Sequence, residues 1–299
     1  MYRAKKAGRN NFQFFHPSMQ IAADVRLALE KDLHRALRDH QLDLYYQPQF
    51  DIYGSITGAE ALLRWQHPTR GMVSPAEFIP VAEEAGLIIA IGDWIIEKAC
   101  KQLSVWEKQG LPKNFHLAIN VSPKQFRMQA FVSHIQSQIK QYAINPEHLI
   151  LELTEGIVID NIQQTINKMR ALKSYGVKFS IDDFGTGYSS LVYLKQLPLD
   201  QIKIDQAFIR DIHTDLNDAV IVEAIISMAK LLGLNVIAEG VETLEQLVFL
   251  HSQDCQNYQG HYFCKPLPEV KFTAKLKSAV ENLTALKETI SIPPEAGNI

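Results

Sequence analysis

The sequence has few cysteines and no long hydrophobic run. Its three cysteines, Cys100, Cys255 and Cys264, are odd in number and lack the spacing of metal ligands. These features argue against a disulfide framework and favour a protein of a reducing compartment. No apolar stretch reaches ~18 residues without a charge, and no hydrophobic signal core follows the basic N-terminus. We therefore expect a cytoplasmic protein with no membrane segment in this chain.

The chain also lacks an excess of charge of either sign. Its formal net charge is −3 over 299 residues, so bulk electrostatics give no reason to expect binding to duplex nucleic acid or to an anionic membrane. There is no Gly-x-Gly-x-x-Gly fingerprint, which argues against a Rossmann sheet. Hydrophobic residues make up 46% of the chain, which is ordinary for a soluble enzyme with a substantial core.

Strand-like and helix-like runs alternate over most of the chain. We expect strands at Leu42–Ile52, Ile56–Trp65, Phe115–Val121, Leu149–Thr154, Val177–Asp182, Gln201–Asp205, Val236–Glu239 and, more weakly, His261–Cys264. We expect helices at Ile21–Asp39, Pro75–Ala85, Asp93–Gln109, Phe131–Tyr142, Ile162–Tyr175, Asp218–Leu232, Leu244–His251 and Val270–Leu283. A count near eight strands predicts an α/β fold with a closed barrel.

One connection departs from the ideal barrel. Only Tyr53, Gly54 and Ser55 separate the first two strands, whereas a parallel crossover needs about a dozen residues. The first two strands should therefore form an antiparallel hairpin. The prediction is a modified TIM (β/α)8 barrel in which one strand runs against the others.

Polar residues stand at or just beyond the ends of these predicted strands. The seven are Glu60, Asn120, Glu152, Asp182, Asp183, Lys203 and Glu239. The carboxyl ends of barrel strands face a common mouth, and a carboxylate entering a buried strand is costly unless it is paired or bound to a metal. Carboxylate and amide oxygens, without clustered His or Cys, suit Mg²⁺ or Mn²⁺ better than zinc. The sequence therefore predicts a site for hard divalent ions.

The adjacent acids Asp182 and Asp183 admit two interpretations. If the strand end bends so that both side chains reach the mouth, the pair could straddle two ions, as in two-metal hydrolysis of phosphate esters. The plainer interpretation is a cap or turn before Gly185. The loop over residues 183–190, DFGTGYSS, is in the same way either an ordinary βα turn or a mobile cover over a substrate.

Two basic residues are open to similar alternatives. Lys203 lies in a strand-like run, where its ammonium could pair with Asp205 or orient an attacking water. Arg64 alternates onto the same strand face as Leu62. Its guanidinium could hold a phosphate as a bidentate fork, or it could simply be exposed.

The motifs around these residues resemble those of the EAL domain family, the cyclic di-GMP phosphodiesterases of bacterial signalling. Glu60-Ala61-Leu62 is the signature tripeptide of the family. The sequence also contains YYQPQF, EALLRW, INVSP, ELTE, IDDFGTGYSSL, IKID, AEGVE and YQGHYFCKPLP. The resemblance covers about Leu33 to Leu276, and so many ordered motifs are highly specific. It implies hydrolysis of cyclic di-GMP to linear pGpG by a two-metal mechanism.

The resemblance also implies a role for each matching residue. Glu60, Asn120, Glu152 and Asp182 resemble ligands of a first Mg²⁺ or Mn²⁺ ion, and Asp182, Asp183 and Glu239 resemble those of a second. Lys203 would hold the nucleophilic water, and Glu239 is similar to a proposed general base. Gln47, Leu62, Arg64, Glu242 and Gln259 would contact or line the way to cyclic di-GMP. Glu155 resembles a glutamate that steadies the loop containing Gly185, Thr186 and Gly187, which couples the site to a dimer interface.

Domain boundaries follow from the same resemblance together with the residue pattern along the chain. Residues 1–20 resemble the end of a GGDEF cyclase domain, residues 21–40 form a linker or lid helix, residues 41–285 form the EAL barrel, and residues 286–299 form a tail. We expect a piece of a longer protein with upstream GGDEF and sensor domains, a parent that could be attached to a membrane, and no cyclase activity in this chain. A homodimer is the expected assembly.

A catalytically silent EAL domain that binds cyclic di-GMP as a receptor is the alternative function. Silent members of the family usually lose metal ligands or loop residues, and none is missing in this sequence. The complete set favours the enzyme.

Overall fold

The computed structural model describes residues 17–112, 114–159, 162–185 and 194–290. The strands are β1 (Leu42–Asp51), β2 (Ile56–His67), β3 (Gly71–Val73), β4 (His116–Asn120), β5 (Leu149–Thr154), β6 (Lys178–Phe184), β7 (Gln201–Ile204), β8 (Asn235–Ala238), β9 (Asn257–Tyr258) and β10 (Leu267–Pro268). The chain divides into two compact units, residues 1–43 with 64–88 and residues 44–63 with 89–299.

Helices alternate with most of these strands. They are α1 (Pro17–Ala36), α2 (Pro75–Ala85), α3 (Ile88–Gln109), α4 (Pro123–Arg127), α5 (Phe131–Tyr142), α6 (Glu155–Ile159), α7 (Ile162–Lys173), α8 (Gln206–Arg210), α9 (Leu216–Leu232), α10 (Leu244–Ser252) and α11 (Glu269–Ile290). Among the helices of these described ranges, none combines the length and the apolar character needed to cross a membrane.

Eight strands close into a barrel in the larger unit. Their order around the barrel is β1, β9, β8, β7, β6, β5, β4 and β2, and the pairing of β2 with β1 completes the ring. The strands from β2 round to β9 are mutually parallel, whereas β1 runs antiparallel to β9. A tight turn joins β1 to β2, so the predicted hairpin and the single reversed strand are confirmed.

The predicted strand at His261–Cys264 is wrong. The barrel closes instead through the two-residue strand β9, and His261–Cys264 lie in a turn in which the N–H groups of Phe263 and Cys264 donate to the carbonyl of Gly260. Gly260, at the start of this turn, lies against the backbone of Val241, whose oxygen would lie 2.0 Å from a Cβ at position 260. Such close backbone approach requires glycine.

An aromatic cluster packs helices α3 and α11 against the barrel. The ring centroids of Tyr46 and Trp106 are 4.9 Å apart, and those of Trp106 and Phe272 are 5.0 Å apart. The indole N–H of Trp106 donates to Thr273 Oγ1 at 2.8 Å, so the polar atom of this buried ring is satisfied. Rings of this size account for much of the apolar area that a core buries.

The smaller unit contains α1, α2, β3 and the far end of β2. Helix α1 contacts α2, and Arg26 of α1 forms an ion pair with Glu84 of α2. His67 on β2 lies 3.2 Å from Asp32 on α1, measured from Nε2 to Oδ2. These contacts show what holds the helix in place within its unit, and the linker or lid role of residues 21–40 stays a prediction.

Gly260→Ala is expected to destabilise the protein. The added Cβ would also lie 2.4 Å from the nitrogen of Val241, and backbone atoms cannot yield as the end of a flexible side chain can. Overpacking of this kind costs roughly 1–3 kcal/mol, which urea denaturation followed by circular dichroism would detect as a lower midpoint. Gly156→Ala is the matched control, because its Cβ would meet nothing within 4 Å. Equal midpoints for the two variants would contradict the prediction.

Candidate metal centre

Neighbouring barrel strands bring their polar residues to one mouth. Asn120 at the end of β4 lies opposite Glu152 of β5 in the parallel ladder, and its amide Nδ2 donates to Glu60 Oε1 of β2 at 2.6 Å. Glu60 and Glu152 are both buried. Because the strands are fixed by their ladders, these side chains are held by rigid elements rather than by loops.

Lys203 of β7 lies at the centre of the acidic residues. Its ammonium Nζ is 3.2 Å from Glu60 Oε2, 3.0 Å from Glu152 Oε2, 3.0 Å from Asp182 Oδ1 and 2.7 Å from Glu239 Oε1. The side chain is 1% exposed, so its charge must be compensated by these partners. Pairing of Lys203 with Asp205, one of the two alternatives, is not what the structure has.

Asp205 has a different local function. Its side chain caps helix α8 by accepting a hydrogen bond from the backbone N–H of Ala207 at 2.6 Å. Strand β7 ends at Ile204, so the alternation that would place Asp205 beside Lys203 has already stopped. The helix cap satisfies an N–H group that a helix N-terminus would otherwise leave without a partner.

A bulge in β6 brings both aspartates to the mouth. Ile181 pairs with Ile202 of β7 and Phe184 pairs with Ile204, so Asp182 and Asp183 together oppose Lys203 alone. This two-against-one arrangement is a β-bulge. Asp183 has a φ of +53°, a left-handed conformation that aspartate tolerates better than most residues. The strand end therefore bends.

The carboxylates form two groups that share one member. One oxygen from each of Glu60, Glu152 and Asp182 lies within 4.8 Å of the others, and the same holds for Asp182, Asp183 and Glu239. Asp182 belongs to both groups. A carboxylate shared between two sets of oxygen ligands would suit a pair of adjacent divalent ions.

The pKa values reflect too many carboxylates for one ammonium. Burial and then the repulsion between neighbouring carboxylates raise the pKa of Glu239 to about 8, although Lys203 opposes the shift. Partial burial and the charge of the adjacent Asp182 raise the pKa of Asp183 to about 7. Full burial and the charges of nearby carboxylates raise the pKa of Glu152 well above its usual range. Burial works against the Glu60 anion too, but the charge of Lys203 and three hydrogen bonds lower its pKa. Added positive charge would stabilise this group of acids.

The buried oxygens fit a hard divalent ion. Glu152 Oε1 and Asp182 Oδ1 are buried and accept no hydrogen bond from the described residues, although Asp182 Oδ1 lies beside the Lys203 ammonium. A buried carboxylate oxygen without a donor is costly unless it binds something. The atoms available are oxygens, which suit Mg²⁺ or Mn²⁺. Asn120 now directs its amide nitrogen toward Glu60, and a rotation of the amide would present its oxygen.

A cleft opens beside these acids. It is about 620 Å³ in volume, including the open space at its mouth. Its lining includes four residues predicted to contact or line the way to a substrate, namely Gln47, Leu62, Glu242 and Gln259. Gln206 and His261 line it too, and neither was predicted from the sequence. Gln206 follows the capping residue of α8 directly, and such a helix start after a barrel strand is a signal that points to the mouth.

Family comparison agrees with this geometry. The family model described as "EAL domain" matches residues 30–266. The chain belongs to the EAL domain family. The remaining part of the chain extends on both sides of the matched EAL region.

Several EAL proteins are similar to this chain. The bifunctional diguanylate cyclase/cyclic di-GMP phosphodiesterase MucR of Pseudomonas aeruginosa is 41% identical over 277 residues, which cover 92% of this chain and 40% of MucR. The cyclic di-GMP phosphodiesterase NbdA of the same organism is 42% identical over 269 residues, which cover 90% of this chain and 34% of NbdA. The chain thus spans well under half the length of either relative.

Solved EAL structures share the fold. A PaMucR phosphodiesterase in complex with c-di-GMP has a TM-score of 0.80 and 41% identity, covering 82% of this chain and 99% of that one. The EAL enzyme Bd1971, bound to cAMP and cyclic di-GMP, has a TM-score of 0.81 and 34% identity, covering 85% of this chain and 70% of that one. Both carry cyclic di-GMP.

The predicted loop residues of this EAL domain are described in part. Glu155 is buried at the start of α6, and its Oε1 accepts a hydrogen bond from the backbone N–H of Gly185 at 2.8 Å. Gly185 has a φ of +101°, which favours glycine. Thr186 and Gly187 lie outside the described residues. Arg64 is half-buried on β2, and its contact with a substrate stays a prediction.

Proposed function

We propose that this EAL domain hydrolyses cyclic di-GMP to linear pGpG with two divalent ions, Mg²⁺ or Mn²⁺. The observation that carries the proposal is the pair of acidic groups that share Asp182 beside a cleft. The first ion would be held by Glu60, Asn120, Glu152 and Asp182, and the second by Asp182, Asp183 and Glu239. Bound there, the ions would supply Lewis-acid stabilisation of charge on a phosphodiester and activation of a water.

The protein's own residues supply position and charge. Lys203 is assigned to orient the attacking water, since its ammonium lies among carboxylates of both groups. Its positive charge also offsets the repulsion between those carboxylates. Glu239 is assigned as the general base, because its side chain is 16% exposed and lines the cleft. A base must reach the proton that it takes, and a carboxylate on the cleft surface satisfies that requirement.

Cyclic di-GMP is the substrate that the cleft and the relatives favour. The MucR phosphodiesterase, 41% identical to this chain, has been solved with c-di-GMP bound. Here the amide groups of Gln47 and Gln259 and the apolar side chain of Leu62 line the cleft next to the acids. Amides can pair with guanine edges or phosphate oxygens. Glu242 and Arg64 complete the proposed contact set.

Hydrolysis by the isolated chain should depend on metal and on Glu60. We expect conversion of cyclic di-GMP to pGpG in Mg²⁺ or Mn²⁺, followed by chromatography, and none after chelation. Loss of ~2–3 kcal/mol of transition-state stabilisation in Glu60→Ala would slow the reaction roughly 30- to 150-fold. Gln201→Leu is the control, because it removes a buried polar side chain whose amide donates to Ser180 Oγ at 3.3 Å, away from the acidic groups. Tight binding of cyclic di-GMP without product, whatever the metal, would identify a silent receptor instead.

The arrangement of the parent protein belongs to the proposal as well. We expect residues 41–285 to form the EAL barrel, preceded by a linker helix over 21–40 and by GGDEF and sensor domains farther upstream. MucR is named a bifunctional diguanylate cyclase and phosphodiesterase, which supports a cyclase domain upstream. The homodimer, in which Glu155 and the loop from Gly185 couple the site to the interface, stays a prediction.

A further inference from the structure

A chain of hydrogen bonds runs along the barrel interior to the metal centre. We call its three members, His116, Gln49 and Gln259, the interior relay. His116 Nε2 lies 3.0 Å from Gln49 Oε1, Gln49 Nε2 donates to Gln259 Oε1 at 2.8 Å, and Gln259 Nε2 donates to Glu60 Oε2 at 2.6 Å. Gln49 is fully buried and Gln259 is 4% exposed. The relay joins the amino end of β4 to a proposed metal ligand.

The carboxylate of Glu60 fixes the direction of every bond in the relay. A carboxylate only accepts hydrogen bonds, so the amide nitrogen of Gln259 must face Glu60 and its oxygen must face Gln49. The nitrogen of Gln49 must then face Gln259, and its oxygen must face His116. It follows that His116 has to donate from Nε2. Reversing any one amide would set two acceptors or two donors against each other.

Competition at the other ring nitrogen makes this assignment testable. His116 Nδ1 lies 3.4 Å from the carbonyl oxygen of Asn114, so both ring nitrogens face acceptors. Burial lowers the pKa of His116 to about 4, so the ring is neutral near pH 7 and carries a single proton. The relay bond is the shorter of the two. The proton therefore belongs on Nε2, held there by a negative charge three groups away.

Gly58 makes room for the first bond of the relay. A Cβ at this position of β2 would lie 2.7 Å from His116 Nε2 and 2.8 Å from Gln49 Oε1. Any side chain would separate the two groups. Gly58 lies two residues before Glu60 on β2, and its lack of a side chain is therefore needed for the interior relay.

We propose that His116 and Gln49 are positioning residues that hold Gln259 with its amide nitrogen toward Glu60 and so fix the Glu60 carboxylate for metal binding. The proposal rests on the proposed two-metal function. Gln259 also donates to Gln47 Oε1 at 3.3 Å, and both amides line the cleft. The relay therefore orients a metal ligand and two substrate-facing amides from the far end of the barrel.

The proton position in the relay can be measured without metal or substrate. Long-range ¹H–¹⁵N NMR of the metal-free parent should show His116 as the Nε2–H tautomer, assigned by comparison with His116→Gln. Gln259→Leu does not alter any group that touches His116, yet it removes the constraint on Gln49, so the ring should shift toward Nδ1–H. Gln201→Leu, also a buried interior glutamine, should leave the tautomer unchanged. A parent ring protonated on Nδ1, or a Gln259→Leu spectrum equal to that of the parent, would overturn the relay.

Metal affinity tests the positioning role. Loss of a direct hydrogen-bond partner of a metal ligand typically weakens affinity ~10- to 100-fold. Gln49 acts through Gln259, one group farther out, and we expect about 10-fold weaker Mn²⁺ binding by Gln49→Leu in calorimetry. Gln201→Leu should stay close to the parent. Equal affinities of these two variants would defeat the positioning role. If the parent binds no Mn²⁺, the proposed function fails instead, and the NMR result still decides the relay.

Discussion

Asp182→Asn is expected to reduce hydrolysis of cyclic di-GMP by at least about 10³-fold, equivalent to roughly 4 kcal/mol of transition-state stabilisation. Asp182 is the carboxylate common to both acidic groups, and it is one of the four partners of the Lys203 ammonium. A single substitution there removes a negative ligand from both proposed ion sites. The side chain keeps its shape, so the loss reports charge rather than packing.

Calorimetry with Mn²⁺ separates this effect from a general loss of structure. Asp182→Asn should weaken binding at both sites, whereas Asp183→Asn should weaken one, because Asp183 belongs to a single group. Asp183 is exposed and follows Asp182 in the bulge, which makes it a close chemical and positional control. If Asp182→Asn and Asp183→Asn bound the same number of Mn²⁺ ions and had the same activity, the assignment of Asp182 as the shared ligand would be refuted.

Lys203→Met should destabilise the metal-free protein by roughly 3–5 kcal/mol, the usual cost of removing one partner from a buried ion pair. Four carboxylates lie within 3.2 Å of its ammonium, and they would be left to repel one another in a buried site. Lys230→Met provides the comparison, because that lysine is 70% exposed in its pair with Asp254. Exposed pairs contribute only about 0–1 kcal/mol.

Divalent ions should partly reverse the effect of Lys203→Met. The acids that lose the ammonium gain more from an added dication than those of the parent, because ligand binding to the folded state raises its stability. Urea denaturation with and without Mg²⁺ should therefore show a larger gain for Lys203→Met than for the parent or for Lys230→Met. An identical gain in all three proteins would mean that the ions bind away from these carboxylates.

The barrel and its acidic mouth were predictable because they depend on local signals. A connection of three residues cannot cross over a sheet, so the hairpin followed from the spacing of the first two strands. Acidic residues that interrupt apolar runs marked the strand ends at Glu152, Asp182 and Glu239. These signals act within a few residues of the chain, where periodicity and polarity can be judged directly.

The parts that could not be predicted depend on contacts between distant segments. Strand β9 has two residues and therefore no periodicity to detect. The turn after it contains aromatic residues, which are typical of strands. The partners of Lys203 come from four other segments, so the nearby Asp205 was a misleading candidate. The interior relay joins His116 to Gln49 across 67 positions of sequence and Gln49 to Gln259 across 210, and nothing local indicates such pairs.

Because β1 is reversed, an insertion in a βα loop and a length change in the β1–β2 turn affect different residues of the site. In an ordinary barrel the residues of the mouth sit on or beside βα loops, which tolerate insertions. Gln47 instead reaches the cleft from within β1, with paired strand on both sides of it. Lengthening a βα loop leaves Gln47 where it is. A one-residue change in the length of the hairpin turn after Asp51 would shift the register of β1 and move its side chains to the opposite face. A surface turn at the opposite end of the barrel therefore determines which residues of β1 can face the cleft.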